Sequence, residues 1–190
     1  IYVHGGAGND HLQGGAGRDF LIGGSSGLQG LDLLQGYGGD DVLIGGDYQY
    51  FTNSNFKLEG GAGNDLLIAG NGHGELVGGD GQDIYLIAPV KGSVAPMHLN
   101  ITDFNPAQDK IAFLDWHIAD AYKGVFVDPA PAHVQIDLSL MIGAPYGSTL
   151  TITGPDTSGL LPETVIENWV TSTSSTDFAW TDLSIDTLFT

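Results

Sequence analysis

Six aspartates stand at one fixed place in a recurring phrase, and no other residues in this chain are so well spaced for chemistry. Asp10, Asp19, Asp65 and Asp83 are each sixth in a nine-residue run. The runs are GGAGNDHLQ (Gly5–Gln13), GGAGRDFLI (Gly14–Ile22), GGAGNDLLI (Gly60–Ile68) and GGDGQDIYL (Gly78–Leu86). Asp32 and Asp41 hold the same place in two looser copies, Gly27–Gln35 and Gly36–Ile44. The shared form is Gly-Gly-x-Gly-x-Asp-x-U-x, with U a large apolar residue. Glycine-rich turns adopt φ > 0 and bring backbone carbonyls close to whatever lies beside them. Carboxylates next to such turns form a set of hard oxygens. Ca²⁺ suits that set, because it accepts about six to eight oxygens in loose geometry. Mg²⁺ demands a stricter octahedron, and softer metals want nitrogen or sulfur.

The phrase is identified as the calcium-binding nonapeptide repeat of RTX proteins. Eight units can be aligned between Gly5 and Leu86, with insertions at 23–26 and 45–50. Phe51–Glu59 is degenerate, and Ala69–Val77 lacks the aspartate. The fold expected is all-β: a parallel β-roll over 1–88, then a mostly-β C-terminal cap over 89–190. In each unit the x-U-x part is a short strand with one inward residue, since strand side chains alternate. Those residues are Leu12, Leu21, Leu34, Leu43, Leu58, Leu67, Leu76 and Tyr85. Two units make a coil, and coils stack at the strand spacing of roughly 4.8 Å.

Stacking places the sixth-position aspartates of alternate units on one edge. Two carboxylates about 5 Å apart repel by roughly 3 kcal/mol at an effective dielectric near 20. A divalent cation between the turns reverses that sign, so binding and folding become one event. One edge reads Asp19, Asp41, Asp65, Asp83 without a gap, and the other reads Asp10, Asp32, Phe56, Gly74. We expect about four Ca²⁺, about three on the first edge and one between Asp10 and Asp32, with carbonyls completing each shell. The expected carbonyl ligands are those of Gly15, Gly17, Gly36, Gly39, Gly61, Gly63, Gly79 and Gly81. Asp103 and Asp109 are candidates for one more site beside the last turn.

The second insertion runs into a loop, residues 46–56, with Tyr48, Tyr50, Phe51 and Phe56 among amide and hydroxyl side chains. Aromatics amid amides can build a shallow saccharide or peptide site. They can equally fold back over the edge that lost its aspartates. Other motifs carry less. Gly23-Gly24-Ser25-Ser26-Gly27 fits the nucleophile-elbow pattern G-x-S-x-G, but no helix follows, as that motif requires. There is no H-E-x-x-H, and the six histidines show no metal-ligand spacing. We therefore expect no catalysis from this chain, any catalytic domain lying outside it. Asn100-Ile101-Thr102 matches a glycosylation acceptor but falls within an expected strand.

Composition narrows the partners. A formal net charge of −18 with five Lys plus Arg speaks against nucleic acid or an anionic membrane surface. There is no cysteine, so no disulfide framework. No apolar run reaches the roughly 18 residues of a membrane span. The chain does not begin with Met or a cleavable leader, and reads as the C-terminal piece of something longer.

Past Leu86 the glycines thin. Strands are expected within Met97–Phe104, Asp109–Trp116, Gly124–Asp128, His133–Ile142 and Ser148–Thr153, and a short helix at Pro162–Val170. The stretch Ile101–Ile111 (ITDFNPAQDKI) resembles the segment after the last repeat in RTX proteins such as serralysin-type proteases and related lipases. The endings Ser175–Trp180 and Asp186–Thr190 resemble the secretion region of type I substrates. The resemblance implies export from a Gram-negative cytosol through a type I secretion apparatus, with folding on extracellular calcium. Three functions follow from it: a calcium-binding module of a secreted protein, a ligand-binding module of an adhesin, or an accessory module of a protease, lipase or alginate epimerase.

Overall fold

The computed structural model describes residues 1–25, 30–45, 54–88, 96–114, 125–129, 132–138, 146–153 and 170–173. Among them the regular elements are strands. Through the repeats they are β1 (Tyr2–Ala7), β2 (His11–Gly15), β3 (Phe20–Ser25), β4 (Asp32–Gly38), β5 (Val42–Gly45), β6 (Ser54–Ala62), β7 (Leu66–Ala69), β8 (Gly72–Asp80) and β9 (Ile84–Ile87). Beyond them come β10 (His98–Ile101), β11 (Lys110–Leu114), β12 (Val125–Pro129), β13 (Ala132–Asp137), β14 (Thr149–Thr153) and β15 (Val170–Thr173).

Through the repeats, β1 to β9, successive strands alternate between two sheets because each glycine turn reverses the chain's course. Sheet I has the order β1-β3-β5-β7-β9-β11-β15, and sheet II the order β12-β13-β14-β10-β8-β6-β4-β2. Pairing is parallel throughout sheet I and from β2 to β14 in sheet II. The result is a parallel β-solenoid, one strand of each sheet per coil. The inward positions expected from the repeats are all buried, with Leu12 at 8% exposure and the other seven fully enclosed. They share one core that runs on through Ile101, Ile111 and Ile152.

The two sheets differ in what they do with their outer faces. In sheet II the strands alternate, as β6 shows with every second residue from Ser54 to Gly60 buried. Its outer face is a polar lattice. Gln35 donates to Glu59 at 2.6 Å, and Lys57 pairs with both Glu59 and Glu75 at 3.1 and 3.0 Å. In sheet I, β5, β7 and β9 are buried at every position. Ile22, Val42, Ile44, Leu66, Ile68, Ile84 and Leu86 form a second apolar cluster on its outer side. The repeat phrase predicts one inward residue per unit; the units that form β5, β7 and β9 bury three, and the one that forms β3 buries Leu21 and Ile22 with Phe20 partly covered. A strand covered on both faces reads as a continuous apolar run, and FLI, VLI, LLI and IYL are such runs.

The glycine repeats stop near residue 88, but both sheets continue. Strand β10 pairs with β8, aligning Ile101 with Leu76, and β11 pairs with β9, aligning Ile111 with Tyr85. Strands β14 and β15 add one more layer in the same sense. Among the described residues only the hairpin β12–β13, its strands antiparallel to each other and β13 antiparallel to β14, departs from the solenoid, and it ends sheet II. All five segments expected to be strands contain one. Residues 162–169 of the expected helix lie outside the described residues, and Val170 opens β15. Trp116, Trp169 and Trp180 also lie outside them.

The double burial of sheet I has a measurable cost. Ile44→Ala, on the outer side, and the inward Leu43→Ala should each destabilise the calcium-loaded protein to urea by about 2–5 kcal/mol. Gln35→Ala on sheet II should stay within about 0.5 kcal/mol. Equal effects of Ile44→Ala and Gln35→Ala would contradict the assignment.

Candidate metal centre

Each aspartate of the unbroken edge directly precedes a strand of sheet I, so parallel pairing sets the carboxylates in register. The backbone N–H of Asp19 donates to Asp41 Oδ1 at 2.7 Å, that of Asp41 to Asp65 at 2.8 Å, and that of Asp65 to Asp83 at 2.9 Å. The aspartate carbonyls serve the neighbouring coil too, as Leu66 N–H donates to Asp41 O at 2.9 Å. Every rung thus uses its carbonyl and one carboxylate oxygen to hold an adjoining coil.

The second carboxylate oxygen is left over. Oδ2 of Asp41, Asp65 and Asp83 is buried and has no hydrogen-bond donor. It curls back over the first glycine of its own unit. A Cβ on Gly36 would strike Asp41 Oδ2 and the carbonyl oxygen of Gly60, and one on Gly60 would strike Asp65 Oδ2 and Gly78 O. Gly14 faces Asp19 Oδ2 and Gly36 O in the same way. At Gly36 and Gly60 the two acceptors converge with no donor to the carboxylate oxygen, whereas Asp19 Oδ2 takes the Gly15 N–H. A buried acceptor lacking a partner costs about 1–3 kcal/mol, more when charged. A hard cation relieves that cost, and the donor set fits one.

The turns beyond the cradles are equally tight. Gly63 has φ +140°, and a Cβ there would meet the carbonyl of Gly39. Carbonyls of Gly61 and Gly63 press in turn against Gly79 and Gly81. Those of Gly36, Gly39, Gly61 and Gly63 therefore face an adjoining turn. Gly15 instead shows its N–H, donated to Asp19 Oδ2. The carbonyl carbon of Gly17 lies beside Gly39. Gly60 and Gly78, absent from the expected ligands, contribute carbonyls to the cradles; glycine at the first place of every aspartate-bearing unit is the available signal. A further ladder has no counterpart among the sequence expectations. Asn64 N–H donates to Asp40 Oδ1 at 2.8 Å and Gln82 N–H to Asn64 Oδ1 at 2.9 Å. Fifth-position side chains thus reach up the solenoid while sixth-position aspartates reach down.

The other edge begins alike and then changes. Asp10 N–H donates to Asp32 Oδ1 at 3.0 Å, and Oδ2 of both residues is buried without a donor. The same column continues as Phe56, Gly74, Leu99 and Leu150. Phe56 is 1% exposed, and its ring fills the space where a Cβ of Gly45 or Gly74 would stand. It has folded over the edge that lost its aspartates. Tyr48, Tyr50 and Phe51 lie outside the described residues.

At the far end the structure brings Asp103 and Asp109 to the last repeat turn. Asp103 accepts from Gly78 N–H, Gly79 N–H and the Tyr85 hydroxyl at 3.1, 2.9 and 3.0 Å. Asp109 accepts from Asp83 N–H at 3.1 Å and from Asn105 N–H at 2.8 Å. No group of three or more His, Asp or Glu side chains converges on one point among the described residues. Two carboxylates per gap, supplemented by carbonyls, agree with that. Gly23–Ser25 end strand β3, and Ser26 and Gly27 lie outside the described residues.

Burial raises the ladder's acidities first, and like charge from neighbouring rungs adds to it, against the lowering effect of each backbone hydrogen bond. Asp41 is pushed up to about 6, and Asp65 and Asp83 to about 7. Asp32 and Asp109 move the same way. These carboxyls start near 3.8 when unfolded, so between pH 4 and 7 the metal-free fold holds more protons than the unfolded chain. Its stability therefore falls as pH rises through that window. In chelator, far-UV circular dichroism should show more β-structure at pH 5 than at pH 8, and calcium added at pH 6.5 should release protons. Identical spectra at the two pH values, with no proton release, would contradict the charge assignment.

A match to a protein family agrees with this geometry. A family model described as the RTX calcium-binding nonapeptide repeat matches in four copies, over residues 2–26, 26–47 and 57–85. No curated protein matches the sequence. Among solved structures, the chain is similar to the solution structure of the AlgE6R3 subunit from the Azotobacter vinelandii mannuronan C5-epimerase. The two share 22% identity and a TM-score of 0.43, with 96% of this chain and 86% of that one covered. Over residues 2–26, 26–47 and 57–85, where the aspartates stand in register and the glycine turns stack, the chain matches the RTX calcium-binding nonapeptide repeat.

Proposed function

We propose that this chain is the non-catalytic calcium-binding module of a larger secreted bacterial protein. In this reading it leaves the cell unfolded through a type I apparatus and folds on extracellular Ca²⁺. Folding outside then prevents return and stabilises the parent. RTX repeats occur in secreted bacterial proteins, and no helix among the described residues is long and apolar enough to cross a membrane. The observation that carries the reading is the column of buried carboxylate oxygens without donors, those of Asp41 and Asp65 each facing a glycine carbonyl of the next coil.

Asp19, Asp41, Asp65 and Asp83 bracket three gaps, and Asp10 with Asp32 brackets another, which accounts for about four ions. In each gap one aspartate contributes Oδ2, its neighbour adds a carboxylate across the coil, and stacked glycine carbonyls supply the rest. When bound, the ion cancels the charge that keeps the coils apart. The protein's share is to place the oxygens and exclude water, which the double burial of sheet I does on one side of the ladder.

Calorimetric calcium titration of wild type, Asp65→Ala and Asp10→Ala tests the assignment. Asp65 borders two gaps and its loss should remove about two binding equivalents; Asp10 borders one and should remove about one. A wild-type protein that takes up no calcium at millimolar concentration would sink the proposal.

A further inference from the structure

The repeats end at Leu86, yet the aspartate column does not. We propose that Asp83 and Asp109 hold a further hard divalent cation in the gap beyond the last repeat, walled by Asp103. This rests on the calcium reading of the ladder and adds a site that the repeat phrase does not encode.

The first support is register. Lys110 pairs with Ile84 as Ile84 pairs with Leu66, so Asp109 occupies the next rung after Asp83. It performs the same act as the rungs below, its Oδ1 taking the preceding aspartate's N–H at 3.1 Å, beside 2.7–2.9 Å in the repeats. The carbonyl of Asp83 likewise accepts from Lys110 N–H at 2.9 Å. A turn of different sequence, FNPAQD in place of GGxGxD, delivers the carboxylate to the same place. Asn105 builds that turn: its N–H donates to Asp109 Oδ2, and its carbonyl receives the N–H groups of Gln108 and Asp109 at 3.0 and 2.8 Å.

The second support is independent of the acidic grouping. Asp83 is 0% exposed, and its Oδ2 has no donor. In the cradles below, the neighbouring oxygen is the carbonyl of the next coil's glycine. At Gly78 it is the Tyr85 hydroxyl instead. That hydroxyl cannot serve Asp83, because it donates to Asp103 Oδ1 while accepting from Gly78 N–H at 3.0 Å. Asp103 spends its own oxygens on Gly78, Gly79 and Tyr85, which pins the last glycine pair. Asp103 therefore stands beside the gap with its oxygens already engaged, and Asp83 Oδ2 is left with no donor. Asp83 and Asp109 are the direct ligands; Asp103 positions the turn and adds charge.

Crystals of the whole chain grown in calcium and soaked with terbium chloride decide the matter by anomalous scattering. Peaks are expected both between Asp41 and Asp65 and between Asp83 and Asp109. A peak at the first and none at the second overturns this proposal alone. Absence of both removes the calcium reading on which it rests. Native mass spectrometry of Asp109→Asn in calcium should show one ion fewer than wild type; unchanged stoichiometry would also overturn it. Should that variant fail to fold, the wild-type anomalous map still separates the outcomes.

Discussion

Like charges stacked at the spacing of a β-sheet are the constraint from which the rest of this structure follows. Parallel pairing puts a carboxylate in every coil of one edge, about 4.8 Å above the last. Each contact costs roughly 3 kcal/mol at an intermediate dielectric, as much as burying one leucine returns. The chain has five Lys plus Arg for twenty-three Asp plus Glu, and Lys57 is already shared by Glu59 and Glu75 on the outer face of sheet II. Neutralisation must come from outside. Backbone hydrogen bonds to Oδ1 soften the repulsion but leave Oδ2 exposed to its neighbours' oxygens, so they prepare a cation site instead of replacing one.

The two edges are two answers to that constraint. On the Asp19 edge the charge is kept through every coil, and sheet I beside it is buried on both faces, which holds the strand starts rigidly in register. On the Asp10 edge the charge is given up after two rungs. Phe56, Gly74, Leu99 and Leu150 carry the column on as ordinary apolar core. Phe56 needs the room that Gly45 and Gly74 leave, so the exchange of an ion for a ring involves three residues at once. That edge asks nothing of calcium above Asp32, whereas the opposite edge asks more of it at every coil.

Much of this was legible in the sequence because a nine-residue period with fixed glycines leaves few alternatives. The inward leucines, the pairing of alternate units and the unequal edges all follow from position within the phrase. The features without a sequence signal lie where the period breaks or where two meanings share one pattern. Asp109 stands in FNPAQD, a glycine-free turn that resembles no repeat; the sequence offers it as a candidate ligand, and the sheet register gives its rung in the column. The outer burial of sheet I was written in FLI, VLI and LLI, against HLQ, LLQ and KLE in sheet II. A search for one apolar residue per unit passes over that difference. The continuation of both sheets beyond residue 88 has no local signal at all, since a strand in a parallel solenoid and one in a separate cap alternate in the same way.

If the compact state is conditional on the ion, overall size is the most direct readout of that dependence. Small-angle scattering of the whole chain at pH 7.5 would compare chelator with saturating calcium. For 190 residues a compact fold has a radius of gyration of roughly 16 Å and an unfolded chain one approaching about 47 Å. The charge ladder predicts an expanded chain in chelator that contracts to near the compact value on adding calcium. A compact particle in chelator at that pH, unchanged by calcium, would contradict it.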